Sequence, residues 1–159
     1  TGNKGEQQLD ILVKKEKIFD NIVAVSGTKK EAIRTISRLC AKQTMLDATQ
    51  LEEAFWKREE WDSTGCGEGI AIPHAIIKEI DEVQLFIVRF RYPIEWESFD
   101  DKKVDIAFAI IAPEEKRQEK YLVFLSRLAR KLVDEKFIAN FRNCRSTEAV
   151  YQYVKNELE

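Results

Sequence analysis

Histidine is nearly absent from this chain. His74 is the only one in 159 residues, which excludes zinc sites built on several histidines and any catalytic histidine pair. Cysteine is scarce too: Cys40, Cys66 and Cys144 form no CxxC, and an odd count argues against a disulfide-stapled secreted fold. With 6 Gly and 3 Pro the composition is neither fibrous nor disordered. No sign of charge dominates, since 26 Lys and Arg meet 28 Asp and Glu for a formal charge of -2. Such a balance gives no reason to expect nucleic acid or an anionic membrane surface as partner. The longest apolar run, Ile106–Ala112, is far too short to insert across a membrane, and no secretory n-region and h-region open the chain. A reducing cytoplasm is the expected compartment.

What is present is globular: 44% hydrophobic and 34% charged residues, enough for one sizeable core. The polar residues 1–8 are expected to fray, and residues 9–159 to form a single domain. Leu9–Val13 predicts a helical turn, and Ile18–Val25 a strand interrupted near Asp20-Asn21. Thr28 with Glu31 reads as a capping box, followed by Ala32, Ile33, Ile36, Leu39 and Cys40 at helical spacing to about Gln43. Asp47 with Gln50 repeats the pattern ahead of a second helix lined by Leu51, Ala54, Phe55 and Arg58. A glycine-rich turn, Thr64–Gly69, leads into a short strand Ile70–Ile72 ended by Pro73 and His74. Val83–Arg91 and Val104–Ile111 are apolar on both faces, as strands covered on both sides are. Glu114–Glu119 is a charged loop. Tyr121 to Asp134, Phe137 to Phe141, and a segment capped by Ser146 complete the chain as helices. Helices early, strands in the middle and helices late give an α/β fold with a small mixed sheet and helices on both faces.

Few polar segments could carry chemistry, and the glycine turn ending at His74 is the foremost. Gly65, Gly67 and Gly69 let the backbone fold tightly with N–H groups that could hold an anion. Pro73 stiffens the approach to His74, whose neutral imidazole can attack at cytosolic pH. On composition alone a lone histidine is more often a surface or hydrogen-bonded residue than a nucleophile. The spacing is neither GxGxxG after a strand nor GxxxxGK[ST], so no nucleotide-binding fingerprint is present. Cys66 beside His74 leaves a thiol nucleophile conceivable, although no orienting residue can be named. Cys40 reads as core. Arg58 and Glu59 could approach the turn from the end of the second helix, or simply form its solvated charged end. Trp56, Trp61 and Trp96 are packing groups or docking anchors, and Arg127, Arg130 and Lys131 read as the wet side of a helix.

The segment Ser63-Thr64-Gly65-Cys66-Gly67-Glu68-Gly69-Ile70-Ala71-Ile72-Pro73-His74-Ala75 strongly resembles the signature of the enzyme IIA domains of the bacterial phosphoenolpyruvate-dependent sugar phosphotransferase system. The match is to the fructose and mannitol type, which includes nitrogen-regulatory proteins. Thr28–Ile33, Trp56–Glu59, Val104–Pro113 and Leu122–Phe137 extend the resemblance over nearly the whole chain. It implies a three-layer α/β/α sandwich with a mixed sheet and no metal or nucleotide cofactor. It implies that His74 receives a phosphoryl group from the phosphohistidine of HPr or an HPr-like carrier. His74 would then pass it to a IIB domain associated with a membrane IIC domain during sugar uptake. Arg58 matches the arginine near the phosphorylated histidine, with Thr64, Gly65, Gly67 and Gly69 as phosphoryl-binding or auxiliary residues. Many relatives carry a second histidine where this chain has Tyr121, which can donate a hydrogen bond but carries no positive charge. The alternatives are a nitrogen-type regulatory protein acting through its phosphorylation state, a IIA-like module of a transcription regulator, and a non-catalytic domain retaining the turn.

Overall fold

The structure is a computed structural model describing residues 12–114 and 119–158. The expected fraying of residues 1–8 and most of the Glu114–Glu119 loop lie outside the described residues. The fold class is the expected one: a mixed β-sheet with flanking α-helices. The chain divides into two compact units, one of residues Phe19–Glu114, the other combining the residues up to Ile18 with those from Glu115 onward.

The first unit holds the sheet. Its strands are β1 (Ile18–Ile22, entering from the other unit), β2 (Gly65–Gly67), β3 (Ile70–Ala71), β4 (His74–Ile77), β5 (Gln84–Ile94) and β6 (Val104–Pro113). They run β1-β5-β6-β3-β2, with β4 also pairing β6. β5 is antiparallel to β6, whereas β3 and β4 are parallel to it. Asn21 has φ 54, yet β1 is continuous rather than interrupted, and Asp20 instead pairs with Arg89 of β5 at 2.7 Å. β4 departs from the expectation. Pro73 does end the short strand before it, but the Pro73 carbonyl accepts from the Ile110 amide at 2.9 Å, and pairing resumes one residue later.

Two helices of this unit pack on one sheet face. In α1 (Lys29–Thr44) the Thr28 hydroxyl accepts from the Glu31 amide as the capping box requires, and Met45 closes the helix in the left-handed conformation. In α2 (Ala48–Trp61) Asp47 caps the Gln50 amide at 3.0 Å. Ile33, Ile36, Cys40, Leu51 and Phe55 form one core with Phe86, Val88, Ala107 and Ala109 of the sheet. On the opposite sheet face Leu85, Ile87, Ile106, Phe108 and Ile110 are buried as well.

The second unit is helical: α3 (Glu119–Leu132), α4 (Glu135–Arg142) and α5 (Thr147–Leu158), with a 3-10 turn at Lys15–Lys17; most of the expected turn at Leu9–Val13 lies outside the described residues. Ser146 caps α5 through the Ala149 amide. The Phe137 and Tyr153 rings stack at 5.3 Å between centroids. Lys131 pairs with Glu157, and Arg127 donates to the Leu158 carbonyl at 3.0 Å, so two of the three cations read as a wet face tie α3 to α5.

Candidate functional site

Everything at the site follows from how α2 ends and how the chain returns to the sheet. Leu51, Phe55 and Glu59 recur every four residues, so they share one helix face, and all three are buried. Glu59, 4% exposed, therefore turns its carboxylate inward, not to solvent as a charged helix end would. It accepts from the Thr64 amide at 2.8 Å, the Thr64 hydroxyl at 2.6 Å and the Trp96 indole at 3.2 Å, and pairs with Lys29 at 2.7 Å. A buried carboxylate held by one cation and three hydrogen bonds is a satisfied one. Thr64 is thereby committed to the helix end.

The glycine turn is clasped by the loop after β5. The Ser63 hydroxyl donates to the Glu97 carbonyl and accepts from the Gly65 amide, while Asp100 accepts from the Glu68 amide at 2.8 Å. A Cβ at Gly65 would stand 2.2 Å from the Glu97 carbonyl oxygen, so only glycine fits. Gly67 at φ 85 and Gly69 at φ 79 occupy the left-handed region, as does Glu68 between them. The Gly69 carbonyl is bonded by the Asp105 and Ile106 amides. Cys66 donates to the Thr64 carbonyl, and burial, with Glu59 nearby, pushes its thiol up to about 11. A thiol that rests protonated, with its S–H committed to a backbone carbonyl, argues against the Cys66–His74 alternative.

His74 opens β4. Its Nδ1 lies 2.7 Å from the Ile72 carbonyl oxygen, which can only accept, so Nδ1 carries the proton and the lone pair of the neutral ring sits on Nε2. Burial lowers the ring's pKa below its ordinary value; the Arg58 charge lowers it further, while the Ile72 bond and Glu59 oppose the shift. The nucleophilic form is therefore the resting form at neutral pH. Arg58, in the last turn of α2, donates to the Asp62 carbonyl at 2.6 Å and lies over the Trp61 ring at 5.6 Å. Strand alternation puts Ile76 on the same side of β4 as His74. Ile76 and Arg58 line a groove of about 740 Å³ together with Ala54, Trp61, Ile77 and Lys78. Trp61 is 85% and Ile76 50% exposed where they line this groove. Trp96 packs in the interior, whereas Trp61 is the most exposed of the tryptophans.

Of the residues singled out from sequence, His74, Arg58, Thr64, Gly65, Gly67 and Gly69 lie within the sheet unit. Tyr121 lies in the first turn of α3, in the helical unit, and is half-buried. Lys29, Trp96 and Asp100 were not recognisable as site residues. Glu59 was read only as a residue that could approach the turn or end the helix in solvent; its four-residue spacing from Leu51 and Phe55 is the signal that could have placed it on the buried face. Among the described residues no three His, Cys, Asp or Glu side chains converge to hold a metal, and no helix is long and apolar enough to cross a membrane.

Residues 11–157 match the family described as "Phosphoenolpyruvate-dependent sugar phosphotransferase system, EIIA 2". The chain belongs to that family. It is thus a phosphohistidine-relay domain of the EIIA type. It is 34% identical over 156 residues to the nitrogen regulatory protein of Escherichia coli K12, covering 97% of this chain and 93% of the relative. The solved nitrogen regulatory protein IIA-Ntr of Neisseria meningitidis superposes with a TM-score of 0.83 at 24% identity, over 92% of this chain and 99% of the other. IIA mannitol of Escherichia coli gives 0.69 at 22% identity, over 89% and 97%.

Proposed function

We propose that this EIIA chain is a nitrogen-type regulatory protein. His74 takes a phosphoryl group from the phosphohistidine of an HPr-like carrier in the cytoplasm, and the phosphorylation state then governs which proteins it binds. The chemistry rests on the tautomer of His74. The Nε2 lone pair attacks phosphorus, the donor's N–P bond breaks, and its electron pair returns to the donor imidazole. As positive charge develops on the His74 ring, the Nδ1–H bond to the Ile72 carbonyl strengthens. Transfer between two nitrogens needs positioning and charge stabilisation more than covalent machinery, and the Arg58 guanidinium supplies a cation for the phosphoryl oxygens. Tyr121 is included as an auxiliary donor on the sequence resemblance alone. The regulatory reading is favoured over sugar uptake by the match to a nitrogen regulatory protein along nearly the whole of both chains.

The test is incubation with phosphoenolpyruvate, the general phosphotransferase enzyme and an HPr-like carrier, followed by a chase with purified IIB domains of the sugar type. Acid-labile, base-stable label on the chain, retained in the presence of the IIB domains, is the expected result. Rapid discharge to a IIB cysteine would return the assignment to sugar uptake, with IIB and its membrane IIC domain as partners.

A further inference from the structure

The Glu59 cluster joins three regions that are far apart in sequence: the start of α1 through Lys29, the end of α2 with the entry to the glycine turn through Thr64, and the loop after β5 through Trp96. Lys29 is held from both sides, its ammonium 5.4 Å from the Trp96 ring centroid and 5.9 Å from that of Trp56. Glu59 is the residue after Arg58, so whatever fixes the Glu59 carboxylate fixes the helical turn from which Arg58 projects. Thr64 begins the segment that ends at His74, and its amide and hydroxyl are both spent on the same carboxylate. One buried group therefore sets where the cation and the nucleophile stand relative to each other.

We propose that Glu59 is a positioning residue for phosphoryl transfer, acting through Thr64 and through the α2 turn that carries Arg58. The inference rests on the phosphoacceptor reading of His74. Stability alone is a poor reason for the cluster, because a buried ion pair is often no better than apolar residues of the same volume. Misplacing a reacting group by about 1 Å costs about a hundredfold in rate, so a small shift of the turn is enough to be seen.

Glu59→Gln keeps the shape of the side chain but sets an amide donor against one of its present donors, loosening Thr64 or Lys29. Transfer from the phosphorylated carrier to Glu59→Gln should be about ten- to a hundredfold slower than to wild type. The midpoint of the His74 ring titration should move further down, since a negative charge that raises it is lost. Asp20→Asn, which breaks the pair with Arg89 in the sheet, is the control for destabilisation without displacement of the turn and should transfer at the wild-type rate. If Glu59→Gln does not fold, Thr64→Ala decides the matter: it should slow transfer, and Thr64→Ser should restore it. A folded Glu59→Gln, or failing that a Thr64→Ala, that transfers as fast as Asp20→Asn overturns the positioning role while leaving His74 as acceptor. A wild-type chain that takes no label overturns both.

Discussion

The two halves of the signature segment, residues 64–69 and residues 72–77, are built on opposite plans. In the first half other segments take up backbone groups: the Thr64 amide is tied to Glu59 and the Glu68 amide to Asp100, while the Gly65 amide is bonded locally by Ser63. The second half is a strand, paired with β6 along the parallel ladder of β4; Ala75 and Ile77 face the core under α1 and α2, so alternation turns His74 and Ile76 to the other face. Gly65 and Gly67 thus serve close packing against the loop after β5. On the proposed reading the nucleophile is the side chain of a single residue on a stiff strand. One half of the segment is architecture, and the other is the working end.

That division is broken most directly at His74. His74→Gln should take no label from the phosphorylated carrier while unfolding at nearly the wild-type temperature. A fully labelled variant would sink the acceptor assignment. The glycines should show the reverse pattern. Gly65→Ala drives a methyl group into the fixed Glu97 carbonyl and should cost about 3 kcal/mol of stability. Gly67→Ala meets the ring of Phe99, which is exposed and can swing away, so its cost reduces to the left-handed backbone, about 1 to 2 kcal/mol. Thermal unfolding of the two variants checks the order. A Gly67 variant weaker than the Gly65 variant would mean that the clasp gives way at Glu97.

How much of this could be read in advance depends on the range of the interaction. Helix caps at Thr28, Asp47 and Ser146 were legible because donor and acceptor lie within three residues of each other. The Pro73-His74 pair was legible as a presented histidine, since proline restricts its neighbours locally. β4 was not, because its partner β6 begins thirty residues further on and four residues after a proline carry too little periodicity of their own. The fate of Glu59 was half-legible: its spacing from Leu51 and Phe55 assigns it to the buried face, but its charge argues for solvent. Only the tertiary partners Lys29 and Trp96 decide between them.

Arg58 tests whether the working end needs help from the helix. Its side chain donates to the Asp62 carbonyl of its own helix end and is half-exposed, so Arg58→Ala should leave the unfolding midpoint nearly unchanged. Transfer should slow by about a hundredfold, the low end of what losing a donor to a developing anion costs. Rapid-quench measurement of carrier-to-chain transfer reads this directly. An unchanged rate would confine the chemistry to His74 and return Arg58 to the structural half.

The smallest effect is the dependence on pH, and the chain is well suited to measuring it because only one imidazole contributes signal. An ordinary histidine with a pKa of about 6.5 loses about fourfold of its neutral form between pH 7.5 and 6.0. Burial and the Arg58 charge lower the pKa of His74, so its loss over that interval should be smaller, both in ring titration by NMR and in the rate of phosphoryl acceptance. The same shift has a consequence for folding. With the folded pKa below the unfolded value, the unfolded chain binds more protons in the window between them. His74 therefore contributes stability that is complete above about pH 6.5 and is lost as pH falls through its lowered pKa. His74→Gln should remove that component, leaving a flatter stability profile than wild type between pH 7 and 5. A ring that titrates at or above the ordinary value would mean that the Ile72 bond and Glu59 outweigh burial. His74 would then rest partly protonated at the pH where the reaction requires its lone pair.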